Sequence, residues 1–197
     1  MTDYDDAYDY ALDFCNPRRE NMARPYYSDG TLYATNGHIA LAIHDVERPM
    51  HEDKGDCLDA IKRTFGMIHD KQKAGQLHSV DVSNMDKALR SVLSRIAEVG
   101  MVYSCFNFDL SQGDVRLEKG VRVSALYAQM AMAVIGEACP GANVRVLVEA
   151  GDKPVLFCAC GAEVVIMPKR GGYPSYAINP CADASTGELV VQNNEEN

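Results

Sequence analysis

Two segments far apart in the chain constrain its fold more than any other feature: residues 32–43, LYATNGHIALAI, and residues 143–170, NVRVLVEAGDKPVLFCACGAEVVIMPKR. In the first, Ile39, Leu41 and Ile43 alternate with Ala40, Ala42 and His44, the period of a strand with one buried face. Asn36-Gly37 marks a turn or bulge ahead of it, and Ser28-Asp29-Gly30 a stronger turn, so residues 24–46 read as a hairpin. In the second, residues 143–149 and 155–167 read as strands. Gly151-Asp152-Lys153-Pro154 is the turn between them, and Gly161 offers another. Each segment closes its β pattern at a polar or glycine-bearing spot.

Helical spacing fills the interval. Leu58, Ile61, Phe65 and Ile68 fall on one face, with Asp56 as N-cap. Residues 83–99 predict a second helix: Ser83 and Asp86 make a capping-box variant, Met85, Leu89, Val92, Leu93 and Ile96 share a face, and Gly100 sits where a C-cap glycine belongs. Strands over 101–110 and 115–118 follow, then a helix over 124–138 that ends before Cys139-Pro140-Gly141. From residue 80 the order is helix, strand, strand, helix, strand, strand, which predicts α+β rather than a parallel βαβ layout. The polar break at 71–76 divides the chain into a partial half, 1–76, built of hairpin plus helix, and a domain over 77–170. The remainder, 171–197, is rich in Gly, Pro, Ser and Asn and reads as an irregular or disordered tail. The first 13 residues hold five aspartates and no base, which reads as a solvated, frayed end; residues 8–16 are ambiguous.

The 197 residues suffice to bury roughly 70% of the unfolded surface without covalent staples. A formal net charge of −9 repels nucleic acid on average, so DNA binding would need a local basic face. The seven cysteines are odd in number and irregularly spaced, and no apolar leader precedes them, which predicts a cytoplasmic protein with reduced thiols. No stretch reaches the roughly 18 apolar residues of a membrane span. Cys158-Ala-Cys160 would point two sulfurs the same way on a strand, but a structural zinc needs two further ligands and no second spacing supplies them. These cysteines, with Cys105 and Cys139, read as small hydrophobes. No Gly-x-Ser-x-Gly elbow, phosphate-binding glycine loop or His-Glu-x-x-His is present, so no enzyme, cofactor or metal is expected.

Several pieces resemble the bacterial DNA polymerase sliding clamp. Ala34-Thr-Asn-Gly-His resembles the clamp's "ATDGHR" strand. Val121-Arg-Val-Ser-Ala-Leu-Tyr-Ala-Gln-Met-Ala resembles the helix opening the second half of a clamp domain. Val144-Arg-Val-Leu-Val, Lys153-Pro-Val-Leu-Phe and Val165-Ile-Met-Pro-Lys-Arg resemble the closing strands and the C-terminal "VVMPMR" motif. Together they cover about 110 residues in pieces. The resemblance implies a DNA-clamp-like α+β fold, antiparallel sheets with two or three amphipathic helices packed on one face. It also implies an apolar groove for short peptides of replication or repair proteins, lined by Thr35, Gly37, His38, Val165, Met167 and Pro168. Asn36, Ile39 and Lys169 stand where the family has Asp, Arg and Met. A clamp binds double-stranded DNA through bases on its helices: Lys87, Arg90 and Arg95 lie opposite the apolar face of 83–99, and Lys62 and Arg63 lie on the 57–74 helix. The 124–138 helix has no Lys or Arg. Three readings follow: a clamp-like replication accessory, as a homo-oligomeric ring; a phage or mobile-element protein of clamp fold that does not encircle DNA; or an unrelated non-enzymatic α+β protein.

Overall fold

Alternation along the predicted strands is realised as a sheet covered on both sides. The computed structural model describes residues 3–47, 52–82, 85, 89, 114–117, 121–150, 152–168, 176–178 and 190–191. Strands β1 (Tyr26–Ser28), β2 (Thr31–Thr35) and β3 (Ile39–Ile43) form a meander. Strands β7 (Arg145–Val148), β8 (Val155–Cys158) and β9 (Ala162–Ile166) form another, extended by β4 (His78–Val80). The two meanders join through β3 and β9 into one antiparallel seven-stranded sheet, ordered β1-β2-β3-β9-β8-β7-β4. A second sheet, β11-β10-β5-β6, comprises β5 (Asp114–Arg116), β6 (Arg122–Ser124), β10 (Tyr176–Ile178) and β11 (Val190–Val191), with β10 parallel to β5.

The turns form where their residues allow. Asp29 and Gly30 both take positive φ (51° and 72°), the backbone of a tight hairpin turn whose twist matches its strands. Cys160-Gly161 makes the other short turn, closed by Ala159 N donating to Ala162 O at 3.0 Å. The β1 edge is blunted rather than left open: Asp53 N donates to Tyr27 O, and Tyr27 N donates to the Asp53 carboxylate, both at 2.8 Å.

Side chains alternate between two cores. Helix α2 (Asp56–Lys73) lays Cys57, Leu58, Ile61, Phe65 and Ile68 on the face carrying Ala40, Ala42, Leu156, Cys158 and Val165. Burying Leu58, Ile61, Phe65 and Ile68 contributes on the order of 2 kcal/mol each before entropy is counted. On the opposite face lie Leu32, Ile39, Leu41, Ile43, Val155, Phe157, Val164 and Ile166, covered by α1 (Tyr4–Leu12) and α3 (Ala125–Ala138). Helix α3 also meets β5 and β6, whose Val115 and Val123 join the same core.

Four expectations change. The helices do not share one face: α2 takes one side of the sheet, and α1 and α3 the other, because β3 and β9 are apolar on both sides. The break at 71–76 ends α2 but separates no domains, since strands from both sides of it pair in one sheet. The acidic start is a helix: Asp3 accepts from Asp5 N at 2.9 Å as N-cap, and Ala7 and Ala11 are buried one turn apart. The tail contributes β10 and β11, so 171–197 is not wholly irregular. Met85 and Leu89 are helical and buried, as read from their spacing; the rest of 83–99 and all of 101–110 lie outside the described residues.

Leu41, fully buried at the centre of the sheet, is expected to cost about 3 kcal/mol on Leu41→Ala. Met67, 60% exposed on α2, should cost under about 0.5 kcal/mol on Met67→Ala. Urea unfolding of both variants checks this; similar losses would contradict the assignment of the core.

Candidate functional site

Residues 32–43 and the end of 143–170 meet at one end of the seven-stranded sheet. β3 and β9 pair in register from Ile39↔Ile166 to Ile43↔Ala162. Past the last pair, Met167 N donates to His38 O at 2.9 Å. This single bond carries the pairing onto the turn between β2 and β3 and sets Met167 beside His38.

That turn is built by side chains. Thr35 Oγ1 donates to Ile39 O at 2.7 Å and accepts from Gly37 N at 3.0 Å. Asn36 Oδ1 accepts from His38 N at 2.9 Å and Ile39 N at 3.2 Å, and its Nδ2 donates to Tyr127 Oη of α3 at 3.4 Å. Short polar side chains that bond nearby backbone amides stabilise turns in this way. An amide oxygen fills these acceptor positions as a carboxylate would, so an Asp at position 36 would keep the turn. Gly37 has φ of 94°, which disfavours any side chain. A Cβ there would lie 3.6 Å from Arg19 Nη1 and 3.8 Å from the Met22 sulfur, so Arg19 and Met22 flank the turn.

The six groove candidates therefore divide. Gly37 and His38 are exposed, Met167 is 38% exposed, and Pro168 is half-buried beside it. Thr35 is buried and spends its hydroxyl on the turn. Val165 is fully buried on the α2 face of the sheet. Thr35 and Val165 hold the surface up from beneath rather than line it, since strand alternation turns Val165 away under α2. Met22, Arg19 and Tyr127 join the neighbourhood. Their proximity arises from the fold, and no spacing in the sequence signals it.

The basic candidates fare differently. Lys62 Nζ donates to Asp29 Oδ2 and Ser28 Oγ, both at 2.7 Å, and this hydrogen bond and charge hold the Asp29 carboxyl below the usual carboxylate range. Lys71 is likewise paired with Glu149. Arg63 is exposed, but the outward side of α2 also carries exposed Asp56, Asp59 and Asp70. Phosphate contacts there would meet mixed charge and an occupied lysine. Lys87, Arg90 and Arg95 lie outside the described residues, as does Lys169. Helix α3, which has no base, packs its buried face against β8, β9, β5 and β6 and exposes Ala133, Gly136 and Glu137.

At the far end of β9 is a cluster the sequence did not flag. Glu163 accepts from His69 Nε2 at 2.9 Å and lies 3.3 Å from His44 Nε2, while His44 Nδ1 is 3.3 Å from Thr31 Oγ1. Burial alone would raise the Glu163 carboxyl, but the hydrogen bond from His44 and the charges of His69 and His44 outweigh it and hold it below its ordinary value. Its residues are separated by up to 119 positions, so only the β3–β9 register could reveal it. Among the described residues no group of three or more His, Cys, Asp or Glu could hold a metal ion, and no helix is long and apolar enough to cross a membrane.

No family model, curated protein or solved structure matches this chain.

Asn36→Ala removes the acceptor of two backbone amides and should cost about 1–2 kcal/mol, whereas Asn36→Asp keeps it and should stay near the parent. Equal losses in urea unfolding would contradict the turn's construction. Because Glu163 is depressed in the folded state, its contribution is present above the ordinary glutamate range and is lost as pH falls through the depressed value. Glu163→Gln should therefore flatten the loss of stability as pH falls below the ordinary glutamate range. An unchanged acid limb would show that the cluster does not govern it.

Proposed function

We propose that this chain is a clamp-fold, non-enzymatic protein-binding module that accepts a short peptide at the surface formed by Gly37, His38, Met167 and Pro168. One observation carries the reading: the only two segments that resemble the clamp's peptide-binding motifs lie side by side, joined by the Met167–His38 backbone bond. The chemistry is suitable. A flexible methionine, 38% exposed, offers adaptable apolar contact, and the glycine turn lets a peptide backbone approach closely. Met22 extends the apolar area, and Arg19 supplies a cation at its edge. The expected partners are cytoplasmic replication or repair proteins presenting one or two large apolar side chains, as the resemblance suggests. Of the two clamp-type readings, the one in which the protein does not encircle DNA is better supported. Lys62 is committed to Asp29, Lys71 to Glu149, and the outer side of α2 is of mixed sign.

Selection of random displayed peptides against the full chain tests this. Enriched peptides should share a large apolar anchor. Their affinity, measured by fluorescence anisotropy, should fall about tenfold for Met167→Ala or His38→Ala, as truncation of a central contact does. Neither residue is a core side chain, so both variants should fold. Peptides that bind both variants as tightly as the parent would remove the proposal. Salt-dependent binding of duplex DNA with a ring-sized oligomer would favour the replication-clamp reading instead.

A further inference from the structure

At the end of α3 away from the Asn36–Tyr127 contact, two cysteines distant in sequence come together. Cys139 follows the last residue of α3, and its backbone N–H donates to Ile135 O at 2.9 Å. Its sulfur accepts from Gly161 N at 2.9 Å. Cys160 immediately precedes Gly161 in the β8–β9 turn, and its thiol is near enough to that of Cys139 to raise it. Chain geometry agrees, because the Cα of a residue is about 2.4 Å from the next nitrogen, which puts Cys160 Cα within roughly 5 Å of the Cys139 sulfur.

Gly161 makes the approach feasible. A Cβ at this position would lie 3.1 Å from the Cys139 sulfur and push it away. Exposure is divided between the two thiols: Cys160 is exposed and Cys139 is buried. Cys158, which alternation alone would pair with Cys160, is instead buried on the α2 face as the last residue of β8, while Cys160 belongs to the turn.

We propose that Cys139 and Cys160 form a reversible disulfide, a redox-modification site that ties the C-terminal end of α3 to the β8–β9 turn. The oxidant is a small-molecule disulfide such as oxidised glutathione. The exposed Cys160 thiolate attacks one sulfur of that reagent. The reagent's S–S bond breaks, a mixed disulfide forms on Cys160, and one glutathione thiolate leaves. Cys139, having lost its proton to solvent, then attacks the Cys160 sulfur and expels the second glutathione. Two protein thiols have given up two protons and two electrons, and the reagent's sulfurs have taken the electrons. Burial and the nearby Cys160 thiol raise the Cys139 thiol, so the buried partner is the slower, resolving one, while the Gly161 N–H favours its thiolate. Reduction by a dithiol reverses both steps. The bridge would lock α3 against the sheet whether or not the surface at its other end binds a peptide.

The full chain is incubated with oxidised glutathione, alkylated and mapped by mass spectrometry without reduction. The expected result is a peptide linking Cys139 to Cys160, loss of two alkylatable thiols, and a rise of several degrees in Tm, all reversed by dithiothreitol. Cys160→Ser, at an exposed position, should fold normally and lose both the link and the Tm rise. A glutathione adduct that persists on Cys160, a bridge between other cysteines such as Cys15 and Cys57, or an unchanged thiol count would each overturn the proposal.

Discussion

The pairing of β3 with β9 is the constraint on which the rest of this structure depends. It joins a meander from the first quarter of the chain to one from the last third, and turns two small sheets into one of seven strands. The same register, running from His38–Met167 to His44–Gly161, positions everything that could be functional. One end carries the Asn36-Gly37-His38 turn beside Met167. The other brings Glu163 to His44 and His69, and sets Gly161 against Cys139. A slip of one residue would send Val164 and Ile166 to the α2 face and separate each of these groups.

Central strands that are apolar on both sides demand cover on both sides. Helix α2 supplies one cover, and α1 with α3 the other. For α3 the demand is double, because the second sheet packs on it as well. This accounts for its wide apolar face of Ala125, Ala128, Ala131, Val134 and Ile135. Its exposed residues, Ala133, Gly136 and Glu137, include an acid and no base. The lysines of α2 are informative, because Lys62 and Lys71 are spent on ion pairs within the chain.

Local signals were legible wherever a residue's neighbours in sequence decide its conformation. Asp29-Gly30 turns because both positions need positive φ, α2 and α3 follow their apolar spacing, and Met85 and Leu89 are buried as their period demands. Helix α1 was hidden because Ala7, Ala11 and Phe14 form a narrow stripe of mostly small residues among aspartates that suggest a solvated end. Strands β10 and β11 were hidden because short β-prone runs were averaged with their Gly-, Pro- and Ser-rich surroundings. The candidate surface was legible as two motifs but not in its depth. Strand alternation puts Val165 beneath α2, and the turn consumes the Thr35 hydroxyl. The histidine–glutamate cluster and the thiol pair depend on contacts across 22 to 119 positions, which periodicity does not encode.

The most direct test is the register of β3 on β9 in solution. His38–Met167 and His44–Gly161 are hydrogen-bonded pairs, so Ile39–Ile166, Leu41–Val164 and Ile43–Ala162 are the non-hydrogen-bonded pairs, whose Hα atoms approach most closely. Nuclear Overhauser spectra of the full chain should show Hα–Hα contacts at Ile39–Ile166 and Leu41–Val164, and slow exchange of the Met167 amide. Hα–Hα contacts in a register shifted by one residue, or none between these strands, would contradict the account.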